Sequence, residues 1–131
     1  MTSKSKNILV TACALGALSV MIGAFGSHGL KPLLMENGRL DTFEIGVKYQ
    51  FYHTMALLAV GIIHTKWDIK LLSYAAYSIF IGTIIFSGSL YILCITNTPI
   101  LGAITPFGGV LLILGWILFL LGIMKIKKAV S

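Results

Sequence analysis

The chain has 131 residues, one domain's worth of material. Its mean hydropathy is +0.95, and only 11% of its residues are charged, whereas about a quarter are charged in a soluble domain. One small core cannot hide that much apolar surface from water, so a water-soluble fold is excluded and lipid must act as part of the solvent. The formal net charge of +6 would suggest nucleic acid in a soluble protein. Here the placement of the charges carries the information, and no nucleic-acid partner is expected.

Crossing roughly 30 Å of hydrocarbon takes about 20 mostly apolar residues in a helix. Four stretches meet or approach this: 8–26, 49–64, 71–95 and 107–124. None holds Asp, Glu, Lys or Arg in its interior. The expected fold is therefore all-α, an integral membrane bundle of four transmembrane helices forming a single domain.

In the first span Ala12, Gly16, Ser19, Gly23 and Gly26 share one stripe. Helices in lipid have little hydrophobic drive to associate, so small residues that let backbones approach mark packing seams. The segment 31–38 reads as a short interfacial helix, with Pro32 in its first turn and Gly38 as its stop. The second span is short, but Asp41 and Glu44 resemble a capping box, and Glu44 and Lys48 form an i,i+4 pair. Its helix should run over 42–64.

Along the third span, Ser78, Gly82 and Ser89 lie on one side, with Thr83, Ser87 and Cys94 nearly opposite. Small or polar groups on two faces predict contact with protein on both. The connection 96–106 carries no charge, and Thr105-Pro106 reads as the N-cap and first residue of the last helix. In that helix Gly108, Gly115 and Gly122 recur every seven residues on one face, a second seam. Cys13 and Cys94 fall in separate spans and are not expected to pair.

Basic residues set the orientation. With the N-terminus inside, Lys4, Lys6, Lys66, Lys70, Lys125, Lys127 and Lys128 are cytoplasmic against Asp68 alone, which puts the full +6 on that face. On the other face Lys31, Arg39 and Lys48 balance Glu36, Asp41 and Glu44. The expectation is N-in, C-in, with anionic lipid against the lysines. Lys4 and Lys6, the following apolar run and Ala24-Phe25-Gly26 also have the order of a cleaved signal peptide. The run is long for that role, and its small residues continue throughout, as packing requires.

Several strings have a familiar order. They are Gly23-Ala24-Phe25-Gly26-Ser27-His28-Gly29-Leu30, Tyr49-Gln50-Phe51-Tyr52-His53, Phe86-Ser87-Gly88-Ser89-Leu90-Tyr91, Thr105-Pro106-Phe107-Gly108-Gly109 and Gly115-Trp116. The chain thereby resembles the YgdD-like family of small bacterial inner-membrane proteins, a domain of unknown function. Ser27 stands where that family usually has Ala. The resemblance implies a four-helix membrane protein of the bacterial cell membrane and supplies no activity, substrate or catalytic residue.

With this topology His28, Gln50, His53, Ser87, Ser89 and Tyr91 fall toward the outer half of the bundle. Gly46, Gln50, His53 and Leu57 share one face of the second helix. A buried face bearing Gln and His is costly unless the groups find partners, which predicts a hydrogen-bonded polar cluster centred on Gln50 and His53. The cluster reads first as interhelical glue and second as a small-molecule ligand site. Tyr49, Tyr52, Tyr74, Tyr91 and Trp67 lie near the interfaces, as aromatic belts do, and Trp116 sits mid-span beside Gly115.

No acid lies inside a span, and no nucleophile motif, phosphate loop or metal-ligand spacing is present, so no enzyme, cofactor or metal is expected. The first span also lacks the midplane acid that an ion-coupled exporter uses. The leading expectation is a non-enzymatic component that binds lipid, another membrane protein or a second copy of itself. The alternative is a ligand-binding or transport protein acting as an oligomer.

Overall fold

Thr2 opens the first helix, its side-chain oxygen accepting the Ser5 backbone N–H at 3.1 Å. The computed structural model describes residues 1–127; Lys128, expected among the cytoplasmic lysines, lies outside the described residues. Five α-helices follow in chain order: α1 (Ser3–Ser27), α2 (Lys31–Glu36), α3 (Leu40–Lys66), α4 (Lys70–Thr96) and α5 (Thr105–Met124). A 3₁₀ turn, Pro99–Ala103, precedes α5.

Among the described residues the fold is all-helical, with three stretches long and apolar enough to cross a membrane: Ser3–Ser27, Lys70–Thr96 and Pro99–Met124. The remaining long helix, α3, has 27 residues but a more polar sequence. Large apolar side chains point outward along the helices, among them Val20 (68% exposed) and Phe107 (70%). Such a surface is stable only in an apolar solvent.

The four long helices form a layer in which α1 packs on α3, α3 on α4, and α4 on α5. Each is antiparallel to its neighbour, so the start of α1, the end of α3, the start of α4 and the end of α5 share one end of the bundle. That end carries Lys4, Lys6, Lys66, Lys70, Lys125 and Lys127. Helix α2 closes the other end by burying Leu34 against Phe43, Leu93 and Cys94, while Asn37 Nδ2 donates to the Cys94 carbonyl at 3.0 Å.

The seams are made by glycine. A Cβ on Gly108, Gly115 or Gly122 of α5 would run into Phe86, Ile79 or Leu72 of α4 respectively. Gly82 of α4 meets Leu112 of α5 in return, and Ser78 Oγ donates to the Leu111 carbonyl at 2.6 Å. On α1, Gly16, Gly23 and Gly26 face Thr54, Val47 and Phe43 of α3. Ser19 is buried on the same helix, and among the described residues its Oγ is a buried polar atom with no partner.

Helix α4 does meet protein on two faces, but α3 does so equally. Three local expectations are corrected. The cap of α3 is Arg39, with no side-chain hydrogen bond, so Asp41 lies in the first turn rather than capping it. Glu44 and Lys48, both exposed, form no ion pair among the described residues. Thr105 is already inside α5, because the 3₁₀ turn continues into the helix and leaves the threonine hydroxyl free for Ser89. Cys13 is exposed, Cys94 is buried, and both are free thiols.

Candidate functional site

Gln50 is the centre of the buried polar groups, at 4% exposure on the face of α3 between α1 and α4. Its Nε2 donates to the Leu15 carbonyl of α1 at 3.0 Å. Its Oε1 accepts the Tyr91 hydroxyl of α4 at 2.6 Å. One side chain therefore ties three helices. Gly46, one turn earlier, allows this because the Tyr91 ring occupies the space a Cβ would take. The Gly46 carbonyl accepts the Ser87 hydroxyl at 2.6 Å.

His53 lies one turn further along α3 and makes a separate set of contacts. Its Nδ1 sits 2.7 Å from the Tyr49 carbonyl, which can only accept, so Nδ1 carries the hydrogen. Its Nε2 is then the acceptor for the Trp116 indole N–H at 3.0 Å. The network assigns one neutral tautomer with both nitrogens used. Trp116 stands edge-on to the imidazole at 5.9 Å and 69°. Tyr49 stacks on Phe86 of α4 at 4.8 Å.

Two residues expected in this cluster are elsewhere. His28 is exposed and makes no side-chain hydrogen bond among the described residues, because α1 ends at Ser27 and the chain turns there, with the Leu30 N–H reaching the Phe25 carbonyl at 2.8 Å. Ser89 faces the opposite side of α4 and meets the Thr105 hydroxyl at 2.6 Å. Trp116 was not among the residues expected to bond here, although its position beside Gly115 on a packing face was the available signal.

A second buried cluster went unforeseen. His64, 1% exposed, lies near the end of α3. Its Nδ1 is 2.7 Å from Ser5 Oγ of α1, and its Nε2 is 2.9 Å from Ser73 Oγ of α4. Asp68 Oδ1 reaches the same nitrogen at 3.2 Å. Serine, histidine and aspartate thus meet at one imidazole, but Ser5, on the nitrogen opposite Asp68, has no exposed surface, and Ser73, which lines a cleft, shares its nitrogen with Asp68. Among the described residues, no group of three or more His, Cys, Asp or Glu could hold a metal ion.

Helices α1 and α4 stand apart above α3, leaving clefts at both ends. The one at the end distant from the lysines has about 380 Å³ and is lined by apolar side chains such as Met21, Phe25 and Ile95, together with Tyr91. The one at the basic end has about 360 Å³, with Lys4, Asn7 and Ser73 on its walls.

Residues 22–109 match the family model described as "Protein of unknown function (DUF423)", a segment that includes Gln50, His53, Ser87 and Tyr91. The chain belongs to the DUF423 family. It is 46% identical over 116 residues to a UPF0382 membrane protein of Staphylococcus saprophyticus, covering 86% of this chain and 95% of the relative. The UPF0382 membrane protein YwdK of Bacillus subtilis is 41% identical over 109 residues, covering 82% of this chain and 88% of the relative. No solved structure matches the chain. As a DUF423 member whose relatives are membrane proteins and whose helices include three of spanning character, it is a multi-pass protein of the cell membrane.

In this DUF423 member the Gln50 relay lends itself to direct measurement. Tyr91→Phe is expected to cost about 0.6 kcal/mol, the average for interhelical bonds in a bilayer. Gln50→Leu should cost more, since it also frees the Leu15 carbonyl contact. The double variant should be no worse than Gln50→Leu alone when unfolding is followed in mixed micelles. Fully additive losses would show that the two groups are not coupled.

Proposed function

We propose that this protein is a non-enzymatic membrane component with four spans, N-in and C-in, that works by holding lipid or another membrane protein against its bundle. The observation that carries this reading is that Gln50 is bonded to α1 and α4, and His53 to α5 and, within α3, to the Tyr49 carbonyl. Side chains already satisfied in this way are the reinforcement of a bundle, and neither is a free acid or base. The outward apolar faces and the basic end are the surfaces left for partners. The YgdD-like strings are read as the signature of this same family.

Helix α3 is the fourth span in this reading. Ser5 of α1 and Ser73 of α4 both bond His64, so the two helices start at the same end. The chain must therefore cross back between them, and α3 is that crossing. Its polar groups Gln50 and His53 face protein, and its ends hold the charged residues. With the lysine-rich end inside, the placement follows the positive-inside rule.

Orientation is tested with single cysteines in a Cys13→Ser background, the remaining Cys94 being buried. A membrane-impermeant maleimide should label Ile100→Cys, at a position 76% exposed, in intact cells. Ser3→Cys should label only after permeabilisation. The reverse pattern would overturn the orientation, and labelling of both from outside would overturn the four-span count.

A further inference from the structure

We propose that the cleft between α1 and α4 at the basic end binds one acyl chain of an anionic phospholipid, with the phosphate held by Lys4 and Asn7. The inference rests on the reading of the protein as a lipid-interacting membrane component and names the lipid and the place.

The cleft is graded along its length. Lys4, Asn7 and Ser73 lie toward its basic end, whereas Leu57, Phe80 and Ile81 make its deeper part apolar. From Ser73 to Ile81 the wall rises about 12 Å. Its volume of about 360 Å³ falls in the range of roughly 300–1,000 Å³ in which small ligands bind. Lys4 and Asn7 are exposed at its polar end, and among the described residues neither side chain has a hydrogen-bond partner. Ser73 is held in place by His64, so the inner polar wall is fixed before any ligand arrives.

Charge decides between a lipid and a second copy of the chain. A second copy in the same membrane orientation would bring its own lysines to the level of Lys4, Lys6, Lys66 and Lys70, and like charges would repel. An anionic headgroup neutralises them, and lysines beside a membrane surface attract acidic lipid. The cleft of similar size at the other end, walled by Met21, Phe25 and Ile95, has no cation to select a headgroup. A smaller cleft at that end, about 150 Å³, does carry Lys48 beside Leu40, Phe43 and Val47, but Glu44 shares its lining and offsets the charge, so the larger slot with an uncompensated cation is the one at the basic end.

The test is native mass spectrometry of the full chain in detergent, titrated with phosphatidylglycerol or phosphatidylcholine. One phosphatidylglycerol per chain should be retained in preference to phosphatidylcholine. Lys4→Gln should cut that preference by about fivefold, whereas Asn7→Ala, which removes a contact to the phosphate both lipids share, should lower retention of both. Lys125→Gln, at the same end on α5, should leave the preference unchanged. Thr11→Phe, which narrows the slot, should lower retention of both lipids. Equal retention of the two lipids would overturn the proposal, as would equal effects of Lys4→Gln and Lys125→Gln. So would a dimer that Thr11→Phe disperses, although that outcome keeps the non-enzymatic reading intact. A co-purifying molecule that is neither lipid nor protein would instead count against that broader reading.

Discussion

Gly108→Ala is expected to destabilise the bundle by about 1–3 kcal/mol, the range for a group forced into a filled interface. The cause is that the new Cβ would meet backbone, namely the Phe86 nitrogen and, at 2.8 Å, its Cα. Backbone cannot turn aside as a side chain can, so α4 and α5 must part. Gly109→Ala is the matched control, one residue away. Its Cβ would find only ring carbons of Phe86 at 3.8 and 3.9 Å, an ordinary contact, and alanine favours the helix by up to about 1 kcal/mol. Gly115→Ala should fall between them, since its closest obstacle, at 2.6 Å, is Ile79 Cγ1, a side-chain atom. Unfolding midpoints of the purified variants in mixed micelles give the ranking. Equal losses at Gly108 and Gly109 would show that the seam does not depend on this approach.

His64→Ala is the second large effect. It leaves the Ser73 hydroxyl buried without its partner and the Ser5 hydroxyl with Thr2 Oγ1 alone, and a buried hydroxyl without a partner costs about 1–3 kcal/mol. The loss should be local as well as global. The first turns of α1 are tied to the bundle through Ser5, so hydrogen exchange over residues 3–10 should accelerate far more than over α5. Asp68→Asn should change stability by no more than about 0.5 kcal/mol, because Asp68 is 59% exposed and exposed pairs contribute little. If exchange rises uniformly along the chain, His64 supports the whole fold rather than the start of α1.

The sequence and the structure agree most closely where a periodic pattern carried the information. Gly108, Gly115 and Gly122 lie every seven residues and face α4. Their partners, Leu72, Ile79 and Phe86, share the same period but look like any other apolar residues of a span. The polar face of α3 was legible for the same reason: Gln50 and His53 stand three apart and so share one face of the helix. What they bond was not legible. One partner of Gln50 is a main-chain carbonyl, which no residue type announces. The partner of His53 is an indole 63 residues later, brought near only by the turn back into α5. His28 was misplaced because periodicity cannot say where a chain stops being helical, and α1 ends one residue before it. The cluster around His64 escaped because its members sit at three different element ends, where a span is defined only by its limits. Knowing that these ends meet requires the antiparallel layer itself.

That layer has a consequence for how the protein is made. Across it the long helices lie in the order in which they are synthesised, each beside the one before. No helix has to be inserted between two that are already in place. Each newly translated long helix can dock on its predecessor. The first pair can be joined by the Gln50–Leu15 bond before Tyr91 exists to complete the relay. A fold laid down in this way grows at one flank only, that of the helix made last, while the outer flank of α1 stays as it was.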